Sequence, residues 1–140
     1  MRPILVAVDG SEPSMKGFEK AAELARFTGA PLLLTCVIPP VVLPMPLSAE
    51  VAERVQEGER AHADFVVKRC LSDASDAGVM ADAAVLRGSP AEALADAAES
   101  RDCSMVVVGS RGQGGVTRML LGSTANRLVN LCKKPVLVVK

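Results

Sequence analysis

The chain has 140 residues, 49% of them apolar, and its sixteen basic residues are balanced by sixteen acidic ones. This length fits one domain, and the apolar fraction is sufficient for a buried core. The balanced charge, without a basic stripe, argues against binding to duplex nucleic acid or to an anionic membrane. With three Phe and no Trp or Tyr, the chain also lacks the stacking platforms that bind single-stranded nucleic acids. We therefore expect neither a nucleic-acid partner nor a membrane.

The amino terminus and the cysteines both indicate a cytoplasmic protein. Residues 1–6 do not have the layout of a signal peptide, and no apolar run approaches the length needed to span a bilayer. The four cysteines are far apart and form no Cys-x-x-Cys pair, which argues against zinc and thioredoxin chemistry. We interpret them as reduced, small apolar thiols.

Apolar runs and helix signals alternate along the chain. The runs at 4–8, 32–38, 105–108 and 135–139 are typical of buried strands, and 80–87 is a weaker strand candidate. Helical patterns at 11–28, 48–76, from residue 89 onward and at 123–131 separate them. Five strands that alternate with four helices predict a single α/β domain, 1–140, with a parallel sheet and helices on both faces.

Cap residues mark the starts of the last two predicted helices. Ser89 is predicted as an N-cap, Pro90 takes the first helical position and Glu92 completes a capping box. These roles explain the segment without a ligand. Ser123 and Thr124 supply hydroxyls where the N-cap of the last helix is expected.

The segment 39–46, which begins with Pro39-Pro40 and ends with Pro46, contains four prolines and is incompatible with regular structure. One interpretation is a mobile loop whose exposed apolar residues cover a ligand or meet a partner. The other is a linker that packs on the surface.

Residues 109–124 carry the strongest functional signal in the sequence. A buried strand leads into this glycine-rich stretch and a helix follows it, so backbone N–H groups and the positive end of a helix dipole converge where an anion can bind. The positive charges of Arg111 and Arg118 favour an anion-binding site. The stretch has neither the Gly-Lys-Ser/Thr of a Walker A loop nor the third glycine of the dinucleotide fingerprint, where Thr117 stands. The alternative is a solvated turn whose backbone requires residues in the left-handed conformation, which glycine adopts readily.

Ligands of open parallel sheets bind at the carboxyl ends of the strands, where the strand order reverses. If the first and fourth strands flank that crevice, Asp9 faces the glycine-rich stretch. Asp9 can then accept a hydrogen bond from a ribose hydroxyl or hold a metal ion, while backbone groups near Val37 meet an adenine edge. The alternative role of Asp9 is a local turn or cap with Gly10 and Ser11. We interpret His62, the single histidine, as a surface residue that leaves the site without an imidazole.

Three segments resemble the universal stress protein family, and the resemblance covers essentially the whole chain. The family's first strand and turn are similar to Ile4-Leu5-Val6-Ala7-Val8-Asp9-Gly10-Ser11. Its nucleotide motif is similar to Gly109-x2-Gly112-x9-Gly122-Ser123, and its last strand to Lys134-Pro135-Val136-Leu137-Val138-Val139. The resemblance implies a Rossmann-like, five-stranded parallel sheet of the adenine-nucleotide α-hydrolase type.

The resemblance also implies membership of the ATP-binding branch of the family, because every motif glycine is present. It places adenine near residues that match Ala7, Asp9 and Val37, with Val108 and Arg111 as adjacent candidates. The residues that it places on the phosphates, often with a divalent cation such as Mg²⁺ or Mn²⁺, are Gly109, Gly112, Gly122, Ser123 and Thr124. Family members commonly form homodimers through the last strand, which implies pairing here from Pro135 to Val139. Cys36 departs from the family pattern, since many members carry histidine there.

The predicted function is a stress-response or signalling module in which ATP controls conformation or partner binding. Hydrolysis is expected to be slow at most, because no base and no Walker lysine is apparent. An ATP pyrophosphatase or nucleotidyl transferase is a rival, but its Ser-Gly-Gly-x-Asp-Ser or histidine signature is missing. A receiver domain would need an acidic cluster at the strand ends. The remaining alternative is a dimeric adaptor of the same fold that binds no nucleotide.

Overall fold

The structure is a computed structural model, and it describes residues 1–41, 43–111 and 121–140. Within these residues five strands alternate with four helices, as the sequence pattern predicted. In chain order they are β1 (Ile4–Ala7), α1 (Glu12–Thr28), β2 (Leu32–Ile38), α2 (Ala49–Asp76), β3 (Ala81–Arg87), α3 (Pro90–Ser100), β4 (Met105–Gly109), α4 (Ser123–Leu131) and β5 (Val136–Val139).

All strands run parallel in one sheet, in the order β3-β2-β1-β4-β5. The chain winds outward from β1 to β3 on one side, then crosses to β4 and β5 on the other. Strand order therefore reverses between β1 and β4, whose register pairs Ile4 with Met105 and Val6 with Val107. The first and fourth strands therefore flank the crevice, which is the condition under which Asp9 is expected to face the glycine-rich stretch.

Helices cover both faces of the sheet, and each face has its own apolar core. The face under α1 and α2 includes Ile4, Val6, Phe18, Leu34 and Val66. The face under α3 and α4 includes Leu5, Leu33, Leu94, Val106 and Leu128. Successive strand residues point to opposite faces, so a central strand covered on both sides must be apolar at every position.

The helices differ in how their first turns are capped. Ser11 and Ser48 cap α1 and α2, each accepting a hydrogen bond at 3.3 Å from the backbone N–H three residues further on. The capping box at α3 is wrong. Ser89 takes the N-cap position without a side-chain cap hydrogen bond, and the Glu92 carboxylate instead pairs with Arg127 of α4. A charged partner on a neighbouring helix outcompetes the backbone N–H, because charge-assisted hydrogen bonds are the stronger ones.

The proline-rich segment and the first half of α2 lie on the surface. Val41, Leu43 and Met45 are exposed, and the buried residues of α2 begin only at Ala63. The prediction of exposed apolar side chains is confirmed for the described part of the segment, which leaves out residue 42. Although α2 has 28 residues, neither it nor any other described helix combines the length and apolarity required to cross a membrane.

Gly109 allows the end of β4 to pack against the first turn of α1. A Cβ at this position would lie 2.5 Å from the carbonyl oxygen of Pro13. On the α1 side, a Cβ on Gly17 would lie 3.3 Å from the Gly109 nitrogen. Both glycines are therefore explained by the close approach of helix and strand, without any ligand.

We expect Gly109→Ala to lower the free energy of unfolding by about 1–3 kcal/mol, because the added methyl overpacks the β4–α1 contact. Gly58→Ala is the matched control. A Cβ on Gly58 meets nothing within 4 Å, so this change should raise the free energy of unfolding by about 0.5–1 kcal/mol through helix propensity. Urea denaturation measures both values, and a Gly109→Ala protein as stable as the wild type would contradict the close approach.

Candidate functional site

A cleft of about 700 Å³ opens at the carboxyl ends of the strands, where their order reverses. Its volume lies in the range of small-molecule sites. The β1–α1 turn and α2 border it on one side of the sheet, and the starts of α3 and α4 border it on the other.

Every predicted binding residue that the structure describes lines this cleft. These residues are Ala7, Asp9, Val37, Val108, Gly109, Arg111, Gly122, Ser123 and Thr124. Gly112 and Arg118 lie outside the described residues. The fold thus brings together the ends of β1, β2 and β4 and the start of α4, while ligand contact by each residue stays a prediction.

Asp9 shapes the turn that joins β1 to α1. Its Oδ1 accepts a hydrogen bond from the backbone N–H of Ser11 at 2.8 Å, and its own N–H donates to the Ser14 hydroxyl at 3.1 Å. Gly10 takes a φ of +84°, which favours glycine. The local-turn role of Asp9 is therefore present, yet Asp9 also lines the cleft. A carboxylate accepts several hydrogen bonds, so the two roles are compatible.

The start of α4 faces the cleft with a glycine as its N-cap. The Gly122 carbonyl accepts from the Asn126 N–H at 3.0 Å, and the Gly122 N–H donates to the Ser110 carbonyl at 2.7 Å. Ser123 and Thr124 are consequently the first two helical residues, and the prediction that their hydroxyls stand at the N-cap is wrong. Because Gly122 provides no side-chain acceptor, an anion bound here would meet first-turn N–H groups and the positive end of the helix dipole.

The wall formed by the end of β2 and the start of α3 is apolar. Its lining residues are Val37, Ile38, Pro39, Val41, Pro90 and Leu94. Charge in the described lining comes from the carboxylates Asp9 and Glu59 and from the guanidinium of Arg111. Glu59 lies 4.0 Å from the guanidinium of Arg87 on β3. An apolar wall beside a few polar groups is the usual composition of a small-molecule site.

His62 is a lining residue that the sequence reasoning had placed outside the site. It is exposed, as predicted, but it borders the cleft, so the cleft is not without an imidazole. Its imidazole atoms Cε1 and Nε2 lie 3.9 and 4.0 Å from the point that a Cβ on Gly10 would occupy. The buried stripe of α2 begins at Ala63. The periodicity of the sequence indicates this buried face but not where α2 passes the strand ends, so no local signal places His62 at the cleft.

Cys36 on β2 lines the cleft, and Cys70 on α2 lies in the core. Burial raises the pKa of both thiols to about 11, helped by Asp9 at Cys36 and by Asp73 at Cys70. Both groups are therefore neutral at physiological pH and behave as small apolar side chains. All four cysteines are free, and only Cys132 is not fully buried. Within the described residues, no cluster of three His, Cys, Asp or Glu side chains is placed to hold a metal ion.

The strand order and the cleft at its reversal define a doubly wound α/β protein with a small-molecule cleft. The profile of the universal stress protein family matches residues 1–140, and the chain belongs to this family. A universal stress protein of Mycolicibacterium smegmatis is 39% identical over 142 residues, which cover 97% of this chain and 47% of that protein. YxiE of Bacillus subtilis is 30% identical over 149 residues, covering 98% and 97%. The chain thus spans about half of the first relative and nearly all of the second.

Solved structures show the same fold. The universal stress protein UspA from Lactobacillus plantarum aligns with a TM-score of 0.89 at 23% identity, over 99% of this chain and 97% of that one. An Archaeoglobus fulgidus universal stress protein in complex with dAMP aligns at 0.73 and 22% identity, covering 100% and 98%. An Arabidopsis thaliana family protein with AMP bound aligns with a TM-score of 0.73 at 19% identity, over 100% of this chain and 92% of that one. A universal stress protein in complex with cAMP aligns at 0.75 and 22%, covering 99% and 97%.

The buried thiols predict a loss of stability at alkaline pH. In the folded chain Cys36 and Cys70 keep their protons up to a pKa of about 11, whereas the ordinary value is 9.0. Between these values the unfolded state binds fewer protons, so the free energy of unfolding falls as pH rises, by up to about 1.4 kcal/mol per pH unit for each thiol. Urea melts from neutral pH to about pH 11 measure the slope.

Variants separate this slope from the titration of lysines in the same range. The double variant Cys36→Ala/Cys70→Ala should show a shallower slope than the wild type, although its stability at neutral pH is lower because of the cavities. Cys132→Ala, which changes a thiol that is not fully buried, should keep the wild-type slope. A double variant with the full wild-type slope would rule out the thiols as its source.

Proposed function

We propose that the chain binds ATP in the cleft between β1 and β4 and acts as a stress-response or signalling module whose conformation or partner binding the nucleotide controls. The observation that carries the proposal is the meeting of an apolar wall at the end of β2 with the glycine-capped start of α4 across one cleft of about 700 Å³. A nucleobase requires the first feature and phosphates the second. The AMP, dAMP and cAMP complexes of structural neighbours support an adenine nucleotide.

The adenosine end would lie against β1 and β2. Val37 offers its backbone to the adenine edge, and its side chain belongs to the apolar wall. Ala7 and Val108 contribute further apolar lining from the strand ends. Asp9, held by its turn, accepts a hydrogen bond from a ribose hydroxyl in this arrangement.

The phosphates would lie at the start of α4. Ser123 and Thr124 contribute first-turn N–H groups and hydroxyls, and Arg111 contributes a charge from the other end of the glycine-rich stretch. The Gly122 N–H is donated to Ser110, so the contribution of this glycine is the close approach that a residue without a side chain allows. Mg²⁺ or Mn²⁺ would bind chiefly to phosphate oxygens. In the alternative arrangement Asp9 would be the protein carboxylate on that ion and not the acceptor for the ribose hydroxyl.

Nucleotide binding is tested by mass spectrometry of small molecules released from the freshly purified protein and by titration calorimetry with ATP. Gly122→Val should weaken ATP binding by about 100-fold or more, because a branched side chain at the α4 start obstructs charge-assisted hydrogen bonds to the phosphates. Ser100→Val changes the last residue of α3, at the end of that helix that does not line the cleft, and this variant should bind ATP like the wild type. Circular dichroism checks that both variants fold.

The outcomes distinguish the rival functions. Unchanged affinity in Gly122→Val would contradict the phosphate site. A wild-type protein that retains no nucleotide and gives no heat with ATP would favour the dimeric adaptor. Phosphate release from ATP with Mg²⁺ above about 1 s⁻¹, in the ordinary enzyme range, would overturn a controlling role for the nucleotide.

We also propose that two copies of the chain pair through β5, which forms one edge of the sheet. On β4 and directly after it, the N–H groups of Val106 and Ser110 donate to the carbonyl oxygens of Pro135 and Val139, each at 2.8 Å. Because backbone groups alternate in direction along a strand, the N–H and C=O of Val138 point to the open edge. At the opposite edge the Asp82 carboxylate accepts from the Ala83 N–H at 2.9 Å. A charged side chain there protects β3 against pairing, which leaves β5 as the edge suited to a partner strand.

Val138→Pro is expected to dissociate this dimer while β5 remains paired with β4. Proline removes the outward N–H of each copy, and the loss of two hydrogen bonds raises the dissociation constant by about tenfold or more. Val138→Thr, which keeps the N–H and the β-branched shape, should remain dimeric. Sedimentation velocity measures the change. A monomeric wild type, or a folded Val138→Pro protein that stays dimeric, would refute pairing through β5.

A further inference from the structure

We propose that His62 is a phosphate-contacting residue of the nucleotide cleft and makes the affinity for the nucleotide depend on pH between about 6 and 8. The inference rests on the proposed ATP site and adds to it a residue from α2, an element outside the glycine motif. It follows from the position of the imidazole over the β1–α1 turn.

The imidazole is held at the cleft by the packing of its own helix. Ala63 and Val66, which follow it on α2, are 1% and 4% exposed. The Val66 Cγ2 lies 3.1 Å from the point that a Cβ on Gly10 would occupy, and the imidazole Cε1 lies 3.9 Å from the same point. The backbone of α2 is therefore fixed against the turn, so His62 borders the cleft through a rigid element and not through a loop.

The turn beneath His62 is the one that carries Asp9. If Asp9 accepts a ribose hydroxyl, the sugar lies next to Gly10, within reach of the imidazole. The start of α4, where the remaining phosphates bind in the proposed arrangement, borders the cleft from the opposite face of the sheet. The nucleotide would thus pass from the turn to α4, and His62 would contact the phosphate nearest the sugar.

The charges around His62 decide the direction of the pH effect. Asp9 lines the same cleft from the β1–α1 turn. Glu59 lies one turn earlier on α2, 4.0 Å from the guanidinium of Arg87 on β3. Arg111 lines the cleft after β4, and the Cys36 thiol on β2 is neutral because burial raises its pKa to about 11. The phosphates of a bound nucleotide add several negative charges to the surroundings of the imidazole. These charges favour the imidazolium, which donates from both ring nitrogens, over the neutral imidazole, which donates from one. Binding should therefore be tighter at lower pH.

Titration calorimetry with ATP at about pH 6 and about pH 8 tests the proposal, with adenosine as an uncharged control ligand. The wild-type affinity for ATP should rise about fivefold more on acidification than that of His62→Gln, as expected for one partly screened charge contact. The comparison of the two proteins cancels the protonation of ATP itself. Adenosine should bind equally to both proteins at both pH values.

Arg60→Gln is the matched control variant, because Arg60 lies two positions away on α2, pairs with Asp64 and does not line the cleft. It should retain the wild-type response to pH. Proton NMR gives an independent readout, since the chain has a single histidine. The titration of its imidazole should move to higher pH with ATP and stay in place with adenosine.

The outcomes separate the failure of this inference from that of the proposed function. If His62→Gln binds ATP with the same pH response as the wild type, or if ATP leaves the imidazole titration in place, His62 makes no phosphate contact although the site binds nucleotide. If the wild type binds neither ATP nor adenosine at either pH, the nucleotide site itself is refuted and the role of His62 with it.

Discussion

The parallel pairing of β1 with β4 is the constraint on which the rest of the structure depends. The chain leaves β1 toward α1 on one face of the sheet and leaves β4 toward α4 on the other. Because α1 and α4 pack on opposite faces, a cleft opens between their starts above the paired strand ends. Gly109 sets how closely this junction packs, because only a residue without a Cβ lets α1 approach the end of β4. The fold therefore creates the cleft and fixes its borders before any ligand is considered.

The strands could be predicted from the sequence because the physics that defines them is local. Burial on both faces requires an unbroken apolar run, and such runs located β1, β2 and β4. The signal for β3 was weaker because this strand lies at the sheet edge, where its side chains are only half-buried and Asp82 is exposed. An edge strand needs fewer apolar residues and a charge against pairing, so a weak strand pattern is itself consistent with the place of β3 in the sheet.

The errors have non-local causes. The capping box at α3 failed because Glu92 finds Arg127, a partner 35 positions away in the sequence, and local cap rules contain no information on such a partner. The bounds of α4 were predicted correctly, but its N-cap is Gly122 and not Ser123, because the Ser110–Gly122 hydrogen bond holds the glycine at that position. His62 was missed because the periodicity of α2 identifies its buried face but not the turn at which the helix crosses the strand ends. Predicting these features requires the tertiary structure.

The pattern of helix caps divides the cleft into two electrostatic halves. In α1 and α2 the hydroxyls of Ser11 and Ser48 each accept from one first-turn N–H group. The starts of α3 and α4, which line the cleft, make no side-chain cap hydrogen bond. The positive ends of two helix dipoles thus face the cleft from one side. The opposite side carries the carboxylates of Asp9 and Glu59. An anion is favoured near α4 and disfavoured near the β1–α1 turn, so a nucleotide whose phosphate chain begins at that turn gains from a cation there. Of the α2 side chains that line the cleft, His62 is the one able to supply it, which gives the imidazole a role that the glycine motif alone leaves unfilled.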